Sequence, residues 1–360
     1  MAIYKWEEIK ETMITPGYSI TKGKSIIGNM LLLQRVEFDE GVAHCQGRAD
    51  GNIGAAFHYH PEEQIFIILK GTMKARFGGS VKDVGSETTH INLDEAAVPI
   101  SPGEWQSASP GEVCRIPAYT LHEVYWENRY GLAYSLKSRI PGHSWYDQSW
   151  QPGAKDAWEK HFENFRIMND KFKETVPWDK VYLNNGGIVK WDAIEESMIT
   201  PGYSIARGKS MYGNMLLLQR VEFSDDVSCI RPDGKAGANF HYHPEEQMFI
   251  IVEGTMNVRF GSAVNSVGAE TTHFDLNKIQ GPVAETEWLS AGHGSVIHIP
   301  AYTLHEACID KYLLVYSAKT RIPGHSWYDE SWQPEAQNAW SKHFENFTAM
   351  NERFKETLPL

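Results

Sequence analysis

A chain of 360 residues that is 42% hydrophobic and 22% charged is long enough for two separately cored domains. Its formal net charge of -12, with no concentrated basic stripe, argues against a nucleic-acid surface, and four scattered cysteines argue against a disulfide framework. The opening MAIYKWEEIKETM has no basic segment followed by an apolar one and no apolar run approaches a membrane span, so cytoplasm is the expected compartment.

The chain repeats itself. Residues 13–38 (MITPGYSITKGKSIIGNMLLLQRVEF) return as 198–223 (MITPGYSIARGKSMYGNMLLLQRVEF), HYHPEEQ at 58–64 returns at 241–247, IPAYTLHE at 116–123 returns at 299–306, and RIPGHSWYD at 139–147 returns at 321–329. A period of about 180 residues is too long for a solenoid and is about the size of one domain. Two tandem copies are expected, 1–183 and 188–360, with the polar, turn-rich Asn184, Asn185, Gly186 and Gly187 as linker.

Within the first copy MLLLQRVEF, EQIFIILKGTMKARF, VCRIP and HEVYWE predict short strands. Their branched and aromatic residues are broken by Gly and Pro clusters at the spacing of sandwiches or barrels. His90 and His273, in ETTHINL and ETTHFDL, recur without metal-ligand spacing and read as structural. RIPGHSWYD then brings Arg139, His143, Trp145 and Tyr146, repeated as Arg321, His325, Trp327 and Tyr328. Arginine with aromatics could bind a carboxylate or ring, but this density of Trp, Pro and Gly better suits a packing arm. Each copy ends on helical periodicity, at Trp158, Phe162, Phe165 and Phe172 and again at Trp340, Phe344, Phe347 and Phe354. These predict a C-terminal amphipathic helix on each β domain, and such apolar tails are compatible with a homodimer.

HYHPEEQ carries the chemistry. Side chains alternate along a strand, so His58 and His60 should share a face, Pro61, Glu62 and Glu63 should make a tight turn with its carboxylates in solvent, and Gln64 should open the next strand. A third imidazole arrives at His122, just after the turn set by Pro117. The second copy repeats the set as His241, His243, Gln247 and His305. Three imidazoles and an amide oxygen, with coordination positions left open, suit Fe(II), Mn(II), Co(II), Ni(II) or Zn(II) better than calcium or magnesium. Two metals per chain are expected.

These spacings resemble the two motifs of the cupin superfamily, and their duplication resembles a bicupin. The first motif is met at His58, His60 and Gly71 and at His241, His243 and Gly254, and the second at Gly111, Pro117 and His122 and at Gly294, Pro300 and His305. The resemblance implies a mainly β chain of two tandem jelly-roll-like barrels, and it covers about two-thirds of each copy, the helical tails excluded. Gln64 and Gln247 stand where the family's glutamate would be, Tyr119 and Tyr302 replace an inner glycine, and Trp126 and Ile309 replace an asparagine. Asn52 and Lys235 stand where the first motif opens on glycine.

A neutral glutamine leaves a divalent site at +2, which favours anionic substrates, and it removes a carboxylate that could act as base. Tyr119, Tyr302, Glu62, Glu63 and a metal-bound hydroxide are the candidates to replace it. Val124 and Trp126 should share the face of His122, against Ala307 and Ile309 beside His305, so the second pocket is expected to be roomier. By the same alternation Asn239, where the first copy has Ala56, could orient a substrate there. The resemblance implies as leading activity a dioxygenase, with Fe(II) the favoured metal, that binds a small anionic, phenolic or enolisable substrate beside O2. The alternatives are a non-redox isomerase, decarboxylase or lyase, and a non-catalytic module that binds a small ligand.

Overall fold

The structure, a computed structural model, describes residues 2–13, 22–39, 50–58, 60, 62–80, 102–118, 120–138, 186–198, 207–213, 215–223, 236–241, 245–263, 287–301 and 303–320. They are mainly β. In the first repeat the strands are β1 (Ala2–Lys5), β2 (Thr12–Met13), β3 (Lys22–Ile27), β4 (Leu31–Phe38), β5 (Gly54–His58), β6 (Gln64–Lys70), β7 (Met73–Ser80), β8 (Gln106–Ala108), β9 (Val113–Ile116), β10 (Thr120–Trp126) and β11 (Gly131–Ser138). In the second they are β12 (Gly187–Val189), β13 (Ser197–Met198), β14 (Arg207–Tyr212), β15 (Leu216–Phe223), β16 (Ala236–His241), β17 (Gln247–Ala263), β18 (Leu289–Ala291), β19 (Ser295–Ile299) and β20 (Thr303–Thr320). Both C-terminal helical segments, both RIPGHSWYD segments, His90 and His273 lie outside the described residues. No helix among the described residues is long and apolar enough to cross a membrane.

One compact unit contains β2 to β11 and β12. Its strands form two antiparallel sheets, seven-stranded in the order β12-β9-β6-β11-β4-β3-β2 and four-stranded in the order β5-β10-β7-β8. Alternation along each strand sends one row inward. Val36, Phe38, Phe66, Ile68, Cys114, Ile116 and Ala133 of the larger sheet meet Ala55, Met73, Ala75, Ala108, Val124 and Trp126 of the smaller in one buried cluster.

The other unit repeats this with fewer breaks. β17 runs through the positions of β6 and β7, and β20 through those of β10 and β11, so its strands join in one nine-stranded sheet whose register shifts three times along the β17–β20 pair. Gly71 and Gly254 mark the bend. Their φ values are +79° and +85°, and a Cβ there would collide with the carbonyl oxygen of Tyr130 or Tyr312. The motif glycine is needed for both reasons.

The repeats exchange their first strands. β1 pairs antiparallel with β19, Ile3 opposite Ile297, and β12 pairs with β9, Ile188 opposite Cys114. Among the described residues, 9–138 and 186–193 therefore form one unit and 2–8 and 194–320 the other. The division 1–183 and 188–360 follows the sequence repeat, whereas the compact units do not. Gly187, read as linker, is already the first residue of β12. Strand AIYK and strand GIV precede similar 3-10 turns that bury Trp6 and Trp191, and the edges that receive them are close copies, so residue pattern alone does not say which edge each one joins.

Candidate metal centre

β5 and β10 place His58 directly opposite His122 in the four-stranded sheet of the first unit. β5 ends at His58, so His60 reaches the site from the turn that follows rather than from the strand. The ring centroids lie 4.2 Å apart for His58 and His122, 4.9 Å for His60 and His122, and 5.8 Å for His58 and His60. One nitrogen from each ring lies within 4.8 Å of the others, and all three side chains are buried. Burial of the three is what the chemistry requires, because a desolvated imidazole stays neutral and keeps a lone pair. The His60 imidazole is held well below its ordinary range by burial first, and then by Lys137, His122 and His58.

Hydrogen bonds aim the rings. His122 donates Nδ1–H to the carbonyl of Thr120 at 2.7 Å, and His60 donates Nδ1–H to the carbonyl of Glu62 at 2.7 Å. Each bond leaves Nε2 as the lone-pair nitrogen. Gln64 completes the set. Its Nε2 donates to Ser135 Oγ at 2.7 Å and its Oε1 lies 3.0 Å from His60 Nε2. Two lone pairs thus face one another. Turned over, the amide would donate N–H to His60 and accept the serine hydroxyl, satisfying both without an ion. The orientation present is the one that a cation between Oε1 and Nε2 requires. Three neutral imidazoles and one amide oxygen therefore fit a divalent transition metal.

The second unit repeats what is described of it. His241 is opposite His305 in the β16–β20 pair, His305 donates Nδ1–H to the carbonyl of Thr303 at 2.8 Å, and Gln247 Nε2 donates to Ser317 Oγ at 2.8 Å. His243, Tyr119 and Tyr302 lie outside the described residues, as do the side chains of His241, Ala56 and Asn239. A register shift falls between Ala238 and His241 on β16, and one falls at the equivalent place in the β5–β10 pair.

No family model matches the chain, and no curated protein matches it. Among solved structures the chain is similar to Ylba from E. coli, family-model DUF861, at 12% identity over 89% of this chain and 90% of that one, with a TM-score of 0.47. It is similar to Lactobacillus farciminis oxalate decarboxylase in a formate complex at 10% identity over 90% and 86%, TM-score 0.49. A third likeness is to AerE from Microcystis aeruginosa, at 10% identity over 87% and 97%, TM-score 0.45. These likenesses are to the course of the chain, and the chemistry here is read from the site's own residues.

The carboxylates of the PEEQ turn are not in solvent. Glu62, Glu63, Glu245 and Glu246 are all buried. The cause is a pair of hydrogen bonds that draw the turn onto the end of β11: Glu63 N–H donates to Ser138 Oγ at 2.9 Å and Ser138 N–H to the Glu63 carbonyl at 3.0 Å. Thr320 holds Glu246 in the same way. The buried carboxylates meet buried nitrogen donors. Glu63 takes Arg115 at 2.6 Å, and at the equivalent place Glu246 meets His298 at 2.6 Å. Glu62 acts on Lys137, whose ammonium burial pulls down to about 8 against the pull of Glu62.

Lys137 and Ser135 alternate on β11, where Lys137 is the register partner of Gln64, so both belong to the face that carries the metal ligands. Sequence reading missed them. The available signal was YSLKS and YSAKT, in which serine and lysine recur at period two inside otherwise apolar strands of both copies. It also missed Arg76, which binds Glu123 beside His122 and lies 5.2 Å over Phe57, beside His58, and 4.6 Å over Trp105. Arg259 repeats this with Glu306, Phe240 and Trp288. These stacks clamp the ligand strands from their outer face.

The expected difference in room between the copies is offset by neighbours. Trp126 lies where a Cβ on Gly131 would stand, and the equivalent of Gly131 is Leu313, beside Ile309. Ala75 and Ala133 become Val258 and Val315. What Ala307 and Ile309 remove, Leu313, Val258 and Val315 return.

Proposed function

We propose that the chain is a metal-dependent enzyme that acts on a small, anionic, enolisable acid without consuming O2, as an isomerase, decarboxylase or lyase. The observation that carries this reading is the buried Lys137–Glu62 pair on the face of the metal ligands. His58, His60, His122 and Gln64 would hold the ion in the first unit, and Gln247 and His305, with His241 and His243, in the second. A bound divalent ion supplies Lewis-acid stabilisation of negative charge on a substrate oxygen.

The residues of the chain account for the rest. The four donors are neutral, Glu62 offsets Lys137 and Glu63 offsets Arg115, so the two positive charges of an ion are left for the substrate to balance. An anionic substrate is therefore preferred. Lys137 Nζ, pulled to about 8, is close enough to neutrality to give or take a proton beside a carbonyl. Glu62 holds that ammonium in place. The glutamine ligand cannot serve as base, which returns the proton work to this pair.

Turnover of a panel of 2-oxo, 3-oxo and dicarboxylic acids by the metal-loaded chain, under argon and under air, tests the reading. The expected result is equal turnover in both, lost on chelation and restored by Mn(II) or Fe(II). The dioxygenase reading draws on the same neutral donor set with room for substrate and O2. Turnover that stops under argon and consumes O2 under air would favour it and overturn the proposal.

A further inference from the structure

We infer that Ser135 and Ser317 are positioning residues that hold the amides of Gln64 and Gln247 with oxygen toward the metal. The inference rests on the proposed metal centres. Ser135 lies on β11 one strand from Gln64 and accepts its Nε2–H at 2.7 Å, and Ser317 on β20 accepts that of Gln247 at 2.8 Å. The same bond is made in both units, between residues about 70 positions apart, 71 in the first and 70 in the second.

A glutamate in this place would need no such partner, because either of its oxygens can bind a cation. Glutamine is two-sided. One end of the amide donates and the other accepts, so half of its orientations present N–H to the metal and repel it. Ser135 is 1% exposed and Gln64 6%, so water does not do the sorting. With the oxygen committed to an ion, the amide N–H needs a buried acceptor, and a lone pair of the serine hydroxyl supplies it. Without an ion the amide can turn over and donate to His60 Nε2 instead, 3.0 Å away. The serine therefore matters to the loaded site far more than to the empty one.

That asymmetry gives the test. Serine is changed to alanine at both positions of the full chain (S135A/S317A), and Zn(II) affinity is measured by competition with a chromophoric chelator, beside the melting temperature of chelator-stripped protein. Loss of a residue that orients a metal ligand typically weakens metal binding by about 10- to 100-fold. We expect a loss in that range with the melting temperature of the stripped protein little changed. S135T/S317T, which keep the hydroxyl, should bind as the parent does. Adding Q64E and Q247E to the alanine variant should restore affinity, since a carboxylate has no wrong way round.

Unchanged Zn(II) affinity in S135A/S317A would overturn the inference while leaving the metal centre standing. A loss of affinity that glutamate fails to restore, or one matched by an equal loss of stability in stripped protein, would assign the serines to packing and overturn it too. Failure of the parent chain to bind Zn(II), Mn(II) or Fe(II) at all would overturn the metal reading itself, and the inference with it.

Discussion

Glu63 and Arg115 form an ion pair inside the protein, Oε1 to Nε 2.6 Å, with both side chains fully buried. Such a pair is weak support for a fold when intact, because desolvation consumes most of the Coulombic gain, and costly when half removed. Arg115→Ala should therefore destabilise the first unit by about 3–5 kcal/mol, leaving a buried carboxylate without its cation. Joint replacement by Glu63→Leu and Arg115→Met should cost far less. Urea titration followed by tryptophan fluorescence would check both, and equal losses in the single and double variants would refute this account of the pair.

The pair also shows what could be read in advance. The strands at Leu31–Phe38, Gln64–Lys70, Val113–Ile116 and Thr120–Trp126 and the convergence of His58, His60, Gln64 and His122 were legible, because strand period and motif spacing are local. The burial of Glu62 and Glu63 was not. A Pro-Glu-Glu turn reads as solvated unless one knows that Ser138, 75 residues from Glu63, draws it inward against Arg115 and Lys137. The exchange of β1 and β12 was hidden for a related reason, since two near-identical edges accept either strand. The volume exchange across Trp126, Gly131, Ile309 and Leu313 involves residues that touch only after the sheets have formed.

Gly71 and Gly254 should be intolerant of alanine. Each combines a positive φ with a backbone carbonyl where the Cβ would stand, at Tyr130 and Tyr312. Left-handed strain on a non-glycine residue costs about 1–3 kcal/mol, and the clash adds to it. Gly111 has a similar φ of +87° but open space around the Cβ, so Gly111→Ala should show the strain without the clash. Calorimetry of the three variants should rank Gly111→Ala as the mildest.

Lys137 gives a pH dependence whose sign can be worked out. Its folded value is lowered to about 8 from 10.5, by burial, so between those pH values the unfolded chain binds a proton that the folded chain does not. Stability then rises as pH increases through that window, since the penalty of a buried ammonium is relieved by deprotonation in the folded state. The shift corresponds to roughly 3 kcal/mol across the window. In chelator-stripped protein, Lys137→Met should raise the first unit's stability near pH 7 and flatten that unit's curve from pH 8 to 10.5, while Lys319, lowered by burial in the same way, keeps the second unit's slope. A first-unit curve that keeps its slope in the variant would assign the effect to another group.

Metal binding should stabilise each unit through its own site. An ion that binds only the folded state adds about 2.7 kcal/mol at a free concentration 100 times its dissociation constant. Two tandem units need not melt together, so calorimetry rather than a single midpoint is the suitable measurement. His122→Ala removes one of three imidazoles within 4.8 Å of one another and should abolish the metal-induced shift of the first unit, leaving the second unit's shift intact. His305→Ala, which removes the imidazole held by the carbonyl of Thr303, should do the reverse. A single substitution that erased both shifts would show that the two centres are not independent.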